Sequence, residues 1–362
     1  MIRSTSSGIS VVIPVHNGGR WIGEVVSAVL AQRIDRPLEL LLIDDCSSDD
    51  SAEILRDLAV DPRIRRLEGE GRGAAAAINV GLRHASHDII CQIDQDVVIQ
   101  PEWLARLVAR LDDSMVAGAQ GYYISAPDAS VFGRVMNLDL EQRYAGIDGA
   151  ATDHVCTGNT AYRAAALAEI GGFDESLGYG YDNDVSYRLI AAGYRLVIDR
   201  NARAVHRWRE GLIGYLIQQY GFGYGRIDLI AKHPRRAGGD AVSPIRMIAH
   251  PLLMTAAAIC ALVAIGCRLV GWPWQPFAIA AAALVAALAA ERCVAGIAAL
   301  RQFGDPIALA FPPVHLARDL AWVTAIVVWV CRRIFRRPGR PAHSMRGRLA
   351  YRLRRRDSEP AP

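Results

Sequence analysis

Between Ile9 and Leu111 the chain alternates strand-like and helix-like apolar patterns four times, and this constrains the fold more than any other feature. Ile9–Ile13 reads as a short strand stopped by Pro14. Trp21–Gln32 then places Ile22, Val25, Val26, Val29 and Leu30 at helical spacing. Leu38–Ile43 is a second strand, followed by a helix carrying Ile54, Leu55 and Leu58 and capped by Ser48 or Asp49. Ile64–Leu67, the Ala-rich helix 73–84, the strand 88–93 and a helix opened by Pro101 and carrying Leu104, Leu107, Val108 and Leu111 complete the series. The expected fold is therefore α/β, a doubly wound, mostly parallel, Rossmann-like sheet. In such sheets ligands bind beyond the carboxyl ends of the strands.

The most informative of those ends is Ile93-Asp94-Gln95-Asp96. Residues i and i+2 of an extended segment point to the same side, so both carboxylates can face one ligand. Two hard oxygen donors there suit a divalent cation, Mg2+ or Mn2+, that neutralises a diphosphate. A solvated turn does not need two carboxylates side by side. Gly71, Arg72, Gly73 and Asn79 lie in a glycine-rich helix entry, where backbone can approach phosphates and Arg72 can pair with them.

With 362 residues there is room for two domains, and composition divides them. Residues 1–245 mix polar and apolar side chains, and 246–334 are dominated by Ala, Leu, Val and Ile. Residues 335–362 read as a basic, disordered tail. The formal charge of +4 hides an asymmetry, because 332–362 hold 11 Arg against Asp357 and Glu359. Arginines beside an apolar segment place that end in the cytosol near anionic lipid. Nucleic-acid binding is not expected, since no basic residues alternate with aromatics elsewhere. Seven scattered cysteines without metal-ligand pairs read as reduced thiols. The N-terminus lacks an apolar core of signal-peptide length, so the first domain is expected to be cytosolic. Met247–Gly266 is long enough to span a bilayer, and Phe277–Leu300 returns across it, with Glu291 and Arg292 inside. The third stretch has only 12 uninterrupted apolar residues, Leu320–Cys331, after Pro312-Pro313, and reads as interfacial. The expectation is a multi-pass protein of the cell membrane with two spans, catalytic domain and tail both cytosolic.

Pro14-Val15-His16-Asn17, Asp44-Asp45-Cys46-Ser47-Ser48-Asp49 and Asp94-Gln95-Asp96, in this order, resemble the nucleotide-sugar-binding half of family-2-type inverting glycosyltransferases. Gly171-Gly172-Phe173-Asp174-Glu175 and Asp182-Asn183-Asp184 resemble that family's acceptor-side motifs, and the motifs run through residues 8–210. The resemblance implies a GT-A fold, a nucleotide diphosphate-sugar donor and a lipid or glycan acceptor. It implies that Pro14, Asn17, Asp44, Asp45, Arg72, Asn79 and Asp94 serve the donor, with Asp45 bonding base or ribose and Asp94 contacting ribose or metal. Asp96 maps onto the metal ligand, and a late histidine of this fold type, here His206, completes the metal site. Asp182 maps onto the base that deprotonates the acceptor hydroxyl. Asp174 and Glu175 are alternative bases or acceptor-orienting groups, with Asp184 and Trp208 on the acceptor side. Two positions depart from the pattern: Ile78 stands where a basic residue precedes the asparagine, and Tyr181 where Glu precedes the aspartate.

The activity this implies is inverting transfer of a sugar to an acceptor hydroxyl in cell-envelope glycan or glycolipid synthesis. A polyprenyl-phosphate glycosyltransferase, whose acceptor needs no base, is the alternative in the same fold. A membrane scaffold that binds nucleotide sugar without turnover is the alternative from another class. A processive synthase is disfavoured, since Gln218-Gln219-Tyr220-Gly221-Phe222 stands where Gln-x-x-Arg-Trp would be. A dinucleotide oxidoreductase is disfavoured because no Gly-x-Gly-x-x-Gly turn follows the first strand.

Overall fold

The computed structural model describes residues 6–335 apart from 148, 241 and 244, so the basic tail expected over 335–362 lies, but for its first residue, outside the described residues. The chain divides into two compact units, described here in turn: 6–126 with 145–207, and 127–144 with 208–335. The division inferred from composition, at residue 245, differs from this one. The helices on both sides of the 145–207 segment group with the apolar C-terminal helices.

The first unit opens with β1 (Ser6–Val15), α1 (Ile22–Leu30), β2 (Leu38–Asp44), α2 (Ser51–Leu58), β3 (Ile64–Glu68), α3 (Ala74–His84) and β4 (His87–Ile93). Short β5 (Val97–Ile99), α4 (Trp103–Arg110) and the ten-residue β6 (Val116–Ser125) follow. The helix α5 (Val131–Tyr144) belongs to the other unit. The first unit then closes with β7 (Ala151–Thr152), β8 (Asn159–Arg163), α6 (Ala164–Glu169), α7 (Tyr181–Ala191) and β9 (Arg195–His206). The strands form one sheet in the order β3-β2-β1-β4-β8-β6-β9-β5, with β7 on β9. β1–β4, β6 and β9 share a direction, and β8 and β5 run against them.

Pro14 does not stop β1, contrary to the sequence expectation. β1 continues to Val15 against β2, but its ladder with β4 ends at Val12, so the missing donor at Pro14 has no partner to deprive. The α2 cap is Asp50 rather than Ser48 or Asp49, and Asp49 instead accepts from the Ser51 amide. The core between sheet and helices buries Val12, Leu41, Ile43, Ile78, Ile90, Tyr162 and Leu189 completely. Each such aliphatic side chain contributes about 1.5–3 kcal/mol. That rigid sheet is what holds its carboxyl edge in place.

The second unit is helical: α5, then α8 (Gly211–Lys232), α9 (Ile245–Leu269), α10 (Gln275–Phe303) and α11 (Phe311–Ile334). Three stretches are long and apolar enough to cross a membrane: Met247–Leu269, Gln275–Phe303 and Pro306–Ile334. The third is not interrupted by Pro312-Pro313, because both prolines sit in its first turn, where a missing N–H costs nothing. Val135, Leu138, Tyr215, Phe311 and Val314 form this unit's core.

Candidate active site

β4 ends at Ile93, and the turn that follows, closed by the Val97 amide on the Asp94 carbonyl, presents Asp94 and Asp96 at the carboxyl edge of the sheet in place of the extended spacing expected from the sequence. After Asp96 the chain enters β5, which pairs antiparallel with the last residues of β9, and Val97 stands opposite His206. That pairing carries the buried His206 to the two carboxylates, and ligand atoms of Asp94, Asp96 and His206 all lie within 4.8 Å of one another. Tyr123 packs edge-on against the imidazole at 5.1 Å.

The electrostatics fit a cation. Burial, then the neighbouring Asp96, pushes the Asp94 carboxyl up to about 6, against the hydrogen bond it accepts from Gln92 Nε2 at 3.0 Å. Burial pulls His206 down to about 4, so the imidazole is neutral at physiological pH and able to ligate. Two carboxylates and one neutral imidazole, like-charged and crowded, suit Mn2+ or Mg2+. Gly158 makes room for them, since a Cβ there would meet Asp94 Oδ2 at 2.1 Å.

Asp182 opens α7 and is half-buried. Its Oδ1 accepts from the Asn183 amide at 2.9 Å, and its Oδ2 faces His154 Nε2 at 3.5 Å. Its charge is among the influences that raise Asp94, which ties it to the acidic cluster. His154 was missed in the sequence, where one histidine before Val155-Cys156 carries no motif.

The other sequence-predicted residues divide by what they touch. Asn17, at φ 54°, accepts from the Ser48 amide at 2.7 Å and joins the loops after β1 and β2. Gln95, also missed, accepts from the His16 amide at 2.8 Å and joins the loops after β1 and β4. Pro14 is buried in β1. Asp44 is fully buried, accepts from the Ser47 amide at 2.9 Å and lies 3.6 Å from the Arg66 guanidinium, which makes it a turn former. Both oxygens of Asp45 are occupied, by the Gly71 amide at 2.7 Å and the Gly73 amide at 2.8 Å. Burial raises the Asp45 pKa even so. Asp45 thus shapes the glycine-rich loop, and that loop is where Arg72 sits. Arg72 is engaged by Glu70 at 2.6 Å and Glu175 at 2.7 Å. Asn79 clamps the loop before α7: its Nδ2 donates to the Phe173 carbonyl and Glu175 Oε1, and its Oδ1 accepts from the Phe173 amide. Asp174 accepts from the Ser176 amide in the same turn.

Asp184 was expected on the acceptor side, yet it is fully buried and paired with Arg188 at 2.7 Å. Arg188 in turn donates to the Ile170 and Gly172 carbonyls, closing the end of α6. Four residues apart on a helix put this pair on one face, and here it faces inward. Trp208 falls in the second unit, half-buried beside Gly133.

A mostly parallel sheet bearing an acidic pair at its carboxyl edge is the GT-A glycosyltransferase architecture. The structure matches the mannosyltransferase PcManGT from Pyrobaculum calidifontis in complex with GDP-Man and Mn2+ with a TM-score of 0.58, over 89% of this chain and 86% of that one, at 22% identity. Residues 10–171 match the model of Glycosyl transferase family 2. Among curated relatives, a pre-mycofactocin glycosyltransferase of Mycobacterium tuberculosis is 28% identical over 256 residues, 68% of this chain and 52% of that protein. The chain thus spans about half the length of that relative. The succinoglycan biosynthesis protein ExoA of Rhizobium meliloti is 27% identical over 67% of this chain and 76% of its own. An undecaprenyl-phosphate 4-deoxy-4-formamido-L-arabinose transferase of Enterobacter is 36% identical over 110 residues, 29% of this chain and 34% of that one.

Proposed function

We propose that the chain is a membrane-anchored, metal-dependent inverting glycosyltransferase that moves a sugar from a nucleotide diphosphate-sugar to an acceptor hydroxyl in cell-envelope glycan or glycolipid synthesis. The observation that carries this reading is the convergence of Asp94, Asp96 and His206 on one point, with Asp182 electrostatically tied to it. Asp94, Asp96 and His206 would hold the divalent cation, which supplies Lewis-acid neutralisation of the departing nucleoside diphosphate. Asp182 takes the proton from the acceptor hydroxyl on Oδ2, while the Asn183 amide holds Oδ1 and fixes the carboxylate plane. The loop carrying Arg72 and the Glu175 turn, pinned by Asn79, lines the donor side. The apolar helices of the second unit, three of them long enough to cross a bilayer, anchor the catalytic unit at a membrane.

The similarity to an undecaprenyl-phosphate sugar transferase favours a second reading, in which the acceptor is a lipid phosphate that needs no base. One variant separates the two. Asp182→Asn is expected to lower transfer to a hydroxyl acceptor by about 10²–10⁴-fold with nucleotide affinity unchanged. Transfer retained with polyprenyl phosphate in that variant would establish the second reading instead. Nucleotide binding without product from either acceptor class would leave a scaffold.

A further inference from the structure

Beside the acidic pair lies a second group of ligand-type side chains that the proposed reaction does not use as a set: His154, Cys156 and Asp182, whose donor atoms all lie within 4.8 Å of one another. We propose that these three residues form a separate, thiophilic cation site that binds Zn2+ and, by taking the Asp182 carboxylate as a ligand, switches the enzyme off.

The geometry favours an ion over a simple hydrogen bond. His154 Nε2 and Asp182 Oδ2 are 3.5 Å apart, long for a hydrogen bond but close to the roughly 3.3–3.4 Å edge between two donors on one tetrahedral Zn2+. The imidazole is 5% exposed, and its Nδ1, buried, has no hydrogen-bond partner. The Asp182 carboxylate facing Nε2 favours the proton on that nitrogen, and a metal taking its place would leave the proton on the unpartnered Nδ1 and Nε2 as the bare ligand nitrogen. Cys156 supplies a half-buried sulfur in no disulfide, so the donor set is nitrogen, sulfur and oxygen. Thiolate with imidazole selects Zn2+ over Mg2+ or Mn2+, whereas the two carboxylates of the neighbouring site select the harder ions.

The scaffold holds the three in place before any ion arrives. His154 and Cys156 are two residues apart on one loop, and Asp182 starts α7. Ser186 clamps loop to helix, because its Oγ accepts from the Val155 amide at 3.1 Å and donates to the Asp182 carbonyl at 2.8 Å. Gln120 accepts from the Cys156 amide on the other side of the loop. Binding releases the thiol proton to solvent, and no electron changes hands.

The inhibition rests on Asp182 being the base, but the binding does not. The probe is Co2+, added to full-length protein in detergent with Mg2+ in excess, while the thiolate-to-cobalt charge-transfer absorption in the near ultraviolet is followed. One equivalent should raise the band, and Zn2+ should displace it. Cys156→Ser should abolish the band, His154→Gln should abolish or strongly weaken it, and Asp96→Ala should keep it. Nucleotide affinity checks that Cys156→Ser and His154→Gln are folded, and the thermal unfolding midpoint checks Asp96→Ala. A band that survives Cys156→Ser, disappears in Asp96→Ala, or never forms overturns the site. Transfer rates with and without Zn2+ are then compared within each variant, and the Zn2+ effect should be lost in Cys156→Ser. A confirmed band with no loss of rate on Zn2+ overturns the switch, while the cation site stands.

Discussion

The two units each bury a knot of charged side chains, and the knots are of opposite kinds. In the catalytic unit Asp94 and Asp96 are like-charged neighbours beside a neutral imidazole, and burial together with the charge of Asp96 raises the pKa of Asp94. In the helical unit the charges offset one another. Arg292 on α10 reaches Asp319 on α11 at 3.2 Å and Glu291 at 3.3 Å, and also meets His250 on α9. Arg318 on α11 lies 3.4 Å from Asp139 on α5, which also holds Arg143 at 3.1 Å. A buried network that balances itself locks helices together and asks for no ligand. A cluster that does not balance itself costs stability and is kept only where a cation or substrate supplies the missing charge. The difference separates a structural charge cluster from a functional one without reference to any relative.

The largest test of that distinction is to neutralise each knot. Asp94→Asn with Asp96→Asn should lower the transfer rate by about 10³-fold or more, since several kcal/mol of charge stabilisation are lost. The same change should leave the thermal unfolding midpoint unchanged or higher, because it removes a repulsion. Arg292→Met alone should do the opposite, destabilising the helical unit by about 3–5 kcal/mol, as removal of one partner of a buried pair does. Adding Asp319→Leu should restore most of that loss, and a double variant as unstable as the single one would show that the network is not self-balancing. Unfolding in detergent micelles reads both.

A smaller effect is expected from Gly158→Ala. The added Cβ would overlap Asp94 Oδ2, and relieving the clash costs about 1–3 kcal/mol. Mn2+ affinity should fall five- to a hundredfold by that same estimate, with the fold retained. The smallest effect is on pH. Below about 6 Asp94 holds a proton that competes with the cation, so Mn2+ affinity should decline as pH falls through that value, by up to about tenfold per unit. His206 stays neutral down to about 4 and adds nothing to this decline. An affinity flat from pH 7 to 5 would remove Asp94 from the ligand set.

The legible parts of this protein were those set by local pattern. The first four strands and their helices follow from periodicity, and the acidic pair is legible as two carboxylates after an apolar strand, although a turn rather than the strand pleat brings Asp94 and Asp96 together. β6 was illegible because it is central and buried on both faces, with Gly118 and Gly121 among its residues, so it shows neither alternation nor high strand propensity. β8 is hard to read because its five residues run directly into the alanines of α6. Asp184 illustrates the limit on side chains. Acidic residues two apart at a helix start look equivalent, yet the helical turn sends Asp182 toward the cluster and Asp184 into the core against Arg188. His154 and Gln95 were invisible for a related reason, since their partners come from distant segments of the chain.

The central claim is that Asp94, Asp96 and His206 hold a divalent cation through which a nucleoside diphosphate binds. Calorimetric titration of UDP, GDP and dTDP into detergent-purified protein, with and without Mn2+, tests it most directly when repeated on Asp96→Ala. The account predicts that one nucleotide binds, that binding needs Mn2+, and that Asp96→Ala abolishes it. Equal nucleotide affinity with and without Mn2+, or binding that survives Asp96→Ala, would contradict it.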